Sequence, residues 1–517
     1  MPRFVMSHRL AGKRAIGSRM ASAAAVELAM AGRFLRNAAV VGARVPADPA
    51  GRRVVLFEAE PGEVAAKRRS LPEDVIIERE ILHSKPSHLP MEFQRMQRQA
   101  PTRTGPVSRP AARLRVTATG GQRPLGAADC VLLLQGAGRA LQREDTTDAH
   151  GKAHFDFSPT FDPTVLAVVP AAGCWSLRLD APSDPVAADC PPLPPAARWL
   201  GWWHRAMGID RFDLRRGRGV GVGVIDTGLA KHPDLGAIED VGAFLDGTHD
   251  PAGGRDVSNH GTFTCGLVGA RPPDRERFGG MAPGARVLSA RVFRSVADAN
   301  QGDIASAIHF LAHDRLVDLI NLSLGSAERS RILYDAIRDA FGHGALCICS
   351  AGNTGGPVSY PAAFPEAVAV AALGLIGWGP AGSLAESRLP RQAGRKGREG
   401  LYLANISAFG PEVDCAAPGV GIISTVPPRP GLTAPYLAMD GTSASSAAVS
   451  GALAAVLSTH PRYRSLPRGR SRAVLARRLL VEACRSVGLE ARYEGRGLPR
   501  VARGRRSGAR VGPSPPG

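Results

Sequence analysis

From about residue 205 the chain alternates near-continuous apolar runs with helical stretches: GVGVGVID, HGTFTCGLVGA, ARVLSARVF, DIASAIHFLAHD, LINLSLG, RILYDAIRDAFGHG, ALCICSAG, AVAVAAL, then a long small-residue helix after 443. A strand with no polar face must be covered on both sides, and intervening helices supply the crossovers that parallel pairing needs. The pattern predicts an α/β unit over 205–503, a doubly wound, mostly parallel sheet with helices on both faces. Active groups in such sheets gather at the carboxyl ends of the strands.

The first two hundred residues read differently. Over 112–182 the period-two runs RLRVTATG, DCVLLLQG, KAHFDFSP, TVLAVVP and CWSLRLD are separated by turn signals, which predicts a small antiparallel β-sandwich. Its stretch TTDAHGKAHFDF resembles the turn and strand of carboxypeptidase-regulatory-like modules. Residues 51–94 combine two apolar strands around a helical middle, predicting a small α+β module. Residues 1–50 read as a basic segment, 95–111 as a polar linker, 183–204 with PPLPP as a stiff connector, and 504–517 as a basic flexible tail.

Charge and cysteine content narrow the class. The net charge of +19 invites nucleic acid or a membrane surface as partner, but the cations are almost all Arg and spread along the chain. Biased Arg usage is the plainer account, so nucleic acid binding through the Arg-rich termini is not favoured. No apolar run reaches the ~18 residues of a membrane-spanning helix. In ASAAAVELAMAG, Glu27 interrupts the apolar segment, so it reads as an amphipathic helix rather than a secretion signal. The expectation is a cytoplasmic protein or one exported by a non-standard route. Eight Cys in 517 residues make no disulfide framework, and Cys347 and Cys349, two apart on one strand, face the same side and are poorly set to bridge. The stretch RLPRQAGRKGREG within 377–404 reads as a basic, exposed insertion.

The sequence VIDTG allows two chemistries. A proton-sharing pair of aspartates needs a second carboxylate in a similar turn, and no second Asp-Thr-Gly or Asp-Ser-Gly occurs. The other chemistry needs a histidine and a nucleophile. SNHGTFTCGLVGA places His260 at a helix start whose Gly261, Gly266 and Gly269 allow close packing on the sheet, DGTSASSAAVSG places Ser443 at the mouth of a small-residue helix, and ALCICSAGN ends at Asn353. Singly, each has a plain reading as turn former, helix cap or loop residue. Together they make a mechanism. A serine hydroxyl needs a base, His260; Asp226 would hold the imidazole in the useful tautomer and stabilise it once protonated. The Asn353 amide and the Ser443 backbone N–H would meet the oxyanion.

At these motifs the chain resembles the subtilisin-like serine proteases, the subtilase family (peptidase family S8), over about 205–503. MAPGARVLSARVF, INLSLG, SYPAAFPEAVAVAAL, ISAFGPEVDCAAPG and YEGRGL add to the resemblance. It implies a serine endopeptidase that hydrolyses polypeptide substrates through Asp226, His260 and Ser443 and an acyl-enzyme. It also implies that Leu322, Ser323, Leu324 and Gly325 form the edge on which an extended peptide lies, while Ser350, Ala351, Gly352, Ser359 and Tyr360 line the side-chain pocket. The family's Met and Pro after the serine are replaced by Ala444 and Ala447. The loop RPPDRERFGG lacks a convincing oxygen set for calcium, so no required metal or other cofactor is expected. Cys265, near the site, suggests sensitivity to mercurials. The 51–94 module reads equally as a removable propeptide or as an attached helper domain. Two other classes stand beside the enzyme: an inactive peptide-binding relative, and a nucleic-acid or membrane-associated protein.

Overall fold

The computed structural model describes residues 1–8, 38–44, 52–68, 71, 75–84, 112–136, 138–295, 298–430, 432 and 435–501. The expected N-terminal amphipathic helix, the 95–111 linker and the 504–517 tail lie outside these residues.

Strands β1 (Arg3–His8), β2 (Ala39–Arg44), β3 (Arg53–Glu58) and β4 (Ile76–Arg79) form one sheet in the order β2-β3-β1-β4, with helix α1 (Pro61–Arg68) after β3. Side chains alternate across a strand. Phe4, Met6, Val55 and Phe57 accordingly pack with Val64 in a private core, while Val5, Val54, Leu56 and Ile76 join the main core of the molecule. The expected boundary at 51 is thereby corrected, because β1 and β2 belong to the same sheet as β3 and β4. RFVMSH was masked by the Arg-rich stretch around it.

Next come β5 (Leu82–Ser84) and the eight strands β6 (Ala112–Gly120), β7 (Arg123–Pro124), β8 (Asp129–Gly136), β9 (Arg139–Thr146), β10 (Lys152–Phe157), β11 (Asp162–Val169), β12 (Leu177–Asp180) and β13 (Val186–Asp189). β10, β6, β13 and β7 make one sheet and β12, β11, β8 and β9 another. Leu114, Val116, Leu132, Phe155 and Leu166 share the core between them. Two expectations change here. β13 lies in the supposed connector, where its short alternating VAAD is flanked by prolines, and it pairs with β6 in parallel rather than antiparallel.

Among the described residues the largest sheet has nine strands. They are β14 (Gly221–Asp226), β15 (Glu239–Leu245), β16 (Thr248–Asp250), β17 (Arg286–Arg291), β19 (Leu319–Leu322), β20 (Leu346–Ser350), β21 (Val368–Leu375), β22 (Leu401–Leu403) and β23 (Val413–Pro418), with the short β18 (Asp298–Asn300) outside it. The path β15-β17-β14-β19-β20-β21 is parallel throughout, β23 joins β21 in parallel, and only β16 and β22 run antiparallel. Every residue of β14, β19 and β20 is buried, as strands covered on both faces require. Helices α2 (His260–Gly269), α3 (Gln301–His309), α4 (Arg331–Gly342), α5 (Thr442–Thr459) and α6 (Arg470–Ala483) pack on this sheet or on one another, α2 against α5 and α3 against α4. The basic stretch 377–404 is not simply an exposed loop. Arg388 is buried with Nε 3.0 Å from Asp440 Oδ2, and the Arg395 guanidinium lies over the Phe409 and Tyr493 rings.

The N-terminal sheet is docked on the large unit by specific bonds. Gln301 Nε2 donates to the Arg79 carbonyl at 2.7 Å, and the Ile81 N–H donates to Gln301 Oε1 at 2.8 Å. Glu78 sits at the N-terminus of α4, accepting from the Arg331 N–H at 2.6 Å and from the Ser330 hydroxyl at 2.7 Å. A carboxylate there satisfies an orphan helix donor and opposes the positive end of the helix dipole.

Candidate active site

Asp226 ends β14, and the sheet register sets Ile225 beside Leu322 at the same carboxyl edge. His260 opens α2. Its Nδ1 donates to Asp226 Oδ1 at 2.7 Å, with both side chains buried. Asp226 is held by two further donors, the Thr227 N–H to Oδ1 at 2.7 Å and the Thr264 hydroxyl to Oδ2 at 3.1 Å. The carboxylate is thus fixed before it orients the ring. The start of α2 is pressed onto the turn after β14. A Cβ on Gly261 would stand 2.1 Å from the Gly228 carbonyl oxygen, so only glycine fits. Gly266, expected to pack on the sheet, instead meets Ser424 and Thr425 of β24 (Ile422–Thr425).

Ser443 is the second residue of α5. Its carbonyl accepts from Ser323 Oγ at 3.3 Å, which ties the helix start to the end of β19 and to the layer that holds Asp226. Ser443 Oγ is buried and makes no hydrogen bond to any described residue. The structure therefore joins Asp226 and His260 directly and brings Ser443 to the same strand-end layer without the hydroxyl–imidazole bond expected from the sequence. Such bonds often tighten only in the substrate complex.

Asn353 follows β20 and reaches the same helix start. Its Oδ1 accepts from the Thr442 N–H and from the Thr442 hydroxyl, each at 2.9 Å, and Thr442 Oγ1 accepts from the Gly352 N–H at 3.1 Å. With the carbonyl end engaged twice, the amide nitrogen is turned the other way. A Cβ on Gly441, whose φ is +143°, would come within 2.5 Å of that nitrogen.

The proposed peptide edge and pocket residues also converge. Ser359 donates from its N–H and from its hydroxyl to the Ala351 carbonyl, at 2.9 and 3.0 Å. Tyr360 and Ser326 exchange backbone bonds of 2.9 and 2.8 Å. A Cβ on Gly325 would meet Ser359 Oγ at 2.7 Å, and one on Gly352 would meet it at 3.0 Å. Leu322, Ser323, Leu324 and Gly325 thus run alongside Ser350, Ala351 and Gly352, with Ser359 and Tyr360 closing the end. The edge is already paired by the chain itself: Ser84 N–H donates to the Gly325 carbonyl at 3.1 Å, the Gly325 N–H donates back at 3.0 Å, and Leu82–Ser84 pairs antiparallel with Asp298–Asn300.

Comparison with known proteins adds to this geometry. The profile described as "Subtilase family" matches residues 217–496, more than half of the chain. The chain belongs to the subtilase family. This subtilase is 33% identical over 255 residues to the thermophilic serine proteinase of Bacillus sp. (strain AK1), covering 48% of this chain and 55% of that protein. It is 30% identical over 253 residues to subtilisin Savinase of Lederbergia lenta, covering 48% of this chain and 80% of that one. The chain spans little more than half the length of several of these relatives, as with the alkaline protease of Alkalihalobacillus alcalophilus at 57%. Among solved structures it is similar to fervidolysin from Fervidobacterium pennivorans at 24% identity and a TM-score of 0.47, over 58% of this chain and 44% of that one.

Sequence reasoning missed several supporting residues of this subtilase. Asp256 accepts from the Thr227 hydroxyl at 2.8 Å, the Ser258 N–H at 2.9 Å and the Thr262 N–H at 2.9 Å, and so locks the loop that delivers His260. An Asp shortly before a helix start was the available signal. Thr264 and Thr442 carried no signal, since a hydroxyl one turn into a helix or next to a serine is unremarkable until its partner is known. Cys265 is fully buried and desolvation pushes its thiol up, both of which weigh against the mercurial sensitivity expected from the sequence.

Proposed function

We propose that this subtilase is a serine endopeptidase that cleaves extended polypeptides through an acyl-enzyme. The observation that carries the reading is the buried 2.7 Å bond from His260 Nδ1 to Asp226, set in one strand-end layer with Ser443. Asp226 holds the ring so that Nε2 faces the nucleophile as base, and it stabilises the imidazolium that forms. Ser443 attacks the carbonyl. The Asn353 amide and the Ser443 N–H, at the start of α5, meet the negative oxygen. His260 then returns the proton to the leaving amine, and water releases the acyl group by the reverse sequence.

Substrate adds to the edge at Ser323–Gly325, with its side chain before the scissile bond against Ser350–Gly352, Ser359 and Tyr360. The antiparallel pairing of Ser84 with Gly325 supports this, because a peptide on that track runs from Gly325 toward Ser323 and hence toward Ser443. It also supports the removable-propeptide reading of the N-terminal module: β5 occupies the substrate edge, and Glu78 and Gln301 hold the module in place. The test is a fluorophosphonate probe together with casein. Labelling and cleavage are expected in the parent chain and absent in Ser443→Ala, and a parent that stays unlabelled after its N-terminal module has been removed would overturn the assignment.

A further inference from the structure

Away from the active site, His309, His313 and Asp339 bring their ligand atoms within 4.8 Å of one another, the one such grouping of three among the described residues. His309 ends α3, and a single π-turn, Phe310–Asp314, carries the chain on to His313, placing both rings on one helical face. The rings are stacked, with centroids 4.1 Å apart. Asp339 projects from α4, its Oδ2 accepting from His313 Nε2 at 2.8 Å, and the His343 ring lies 3.6 Å from that of His313. One histidine would suffice for an ion pair between helices. A second imidazole one turn earlier brings another ring nitrogen within 4.8 Å of the same carboxylate, so that rotation of the two rings out of their stacked arrangement converges a two-histidine, one-carboxylate ligand set, and π-turns recur at functional sites.

We propose that His309, His313 and Asp339 bind a divalent transition metal of the zinc type, joining α3 to α4. Two imidazoles and a carboxylate suit Zn²⁺ among common divalent ions, whereas Mg²⁺ and Ca²⁺ take oxygen ligands. Tetrahedral ligands at about 2.0–2.1 Å stand about 3.3 Å apart, within the 4.8 Å limit after small rotamer changes. The ion takes the place of the proton now shared by His313 and Asp339. A small cavity beside the cluster leaves room for a water as the fourth ligand; Ser7, Arg52 and Val54 of the N-terminal module line one side, His309 and Asp339 the other. Arg52, the cation facing this space, is paired with Asp335.

The site is separate from Ser443, so the test uses the full chain with Ser443→Ala to prevent self-cleavage. The protein is stripped with a chelator, dialysed against Zn²⁺ and analysed for metal. One retained zinc per chain is expected, and Co²⁺ loading should give the intense visible bands of a tetrahedral site. The zinc should be lost in His309→Gln/His313→Gln, and Asp339→Asn should bind at least about tenfold more weakly. Should the double variant misfold by circular dichroism, Asp339→Asn, nearly identical in shape, decides. A parent that retains no zinc, or variants that retain it equally well, would overturn the proposal.

Discussion

At the residue scale, the orientation of Asn353 depends on Thr442. Two donors from Thr442 engage the carbonyl end of the amide, which leaves the nitrogen preorganised for the oxyanion proposed above. Asn353→Ala should therefore lower kcat by about a hundred- to a thousandfold while KM changes little, because the bond is made only in the transition state. Steady-state kinetics on a peptide substrate checks this. A raised KM with kcat unchanged would place Asn353 in ground-state binding instead. The same scale explains what was legible: Asp226, His260, Asn353 and Ser443 stood out because each sits in a distinctive short motif. Asp256, Thr264 and Thr442 did not, since their roles are hydrogen bonds to residues distant in the chain or to backbone groups whose positions only folding sets.

At the element scale, the contact that matters most is Glu78 on the N-terminus of α4. It satisfies the Arg331 N–H and the Ser330 hydroxyl, while Ser330 Oγ accepts from the Leu333 N–H at 3.1 Å as the helix cap. Losing a helix-end carboxylate with these bonds removes about 1–2 kcal/mol. In the Ser443→Ala chain, Glu78→Ala should therefore speed amide exchange of residues 76–84 by roughly five- to thirtyfold and leave the β14 amides unchanged. Uniform acceleration would mean that the whole fold had loosened, and no acceleration would mean that Glu78 does not hold the module. The short β1, β2 and β13 mark the limit of pattern reading. Strands of four to six residues beside Arg- or Pro-rich stretches carry too few alternations to stand out, and they form because a neighbouring strand completes their hydrogen bonds.

At the scale of the whole molecule, occupation by β5 of the edge proposed for substrate is expected to depend on pH through His83. This residue lies in β5, buried, with Nδ1 3.3 Å from the Ile81 carbonyl oxygen, and desolvation lowers its pKa to about 4 from an ordinary value near 6.5. The released segment binds a proton in this interval and the docked one does not, so docking is complete above about pH 6.5 and weakens as pH falls toward 4, by up to about tenfold per unit. Proteolytic susceptibility of residues 76–84, followed between pH 7 and 4.5 in the Ser443→Ala chain, should rise accordingly, and His83→Gln should flatten the profile. An unchanged profile in that variant would assign the effect to other groups.

The sequence by itself pointed to the parallel sheet, to most of its alternating strands and helices, and to the four residues proposed for catalysis, because apolar periodicity and short motifs are local properties that survive in a string of letters; it did not show the strands at 239–245, 248–250 and 401–403. Only the tertiary structure decided that β1 and β2 join the N-terminal module, that β5 pairs with Gly325 on the edge proposed for substrate, and that two histidines and an aspartate meet between α3 and α4. Those facts arise from pairings between distant segments, where hydrogen bonds and burial are completed by a partner that no local window contains.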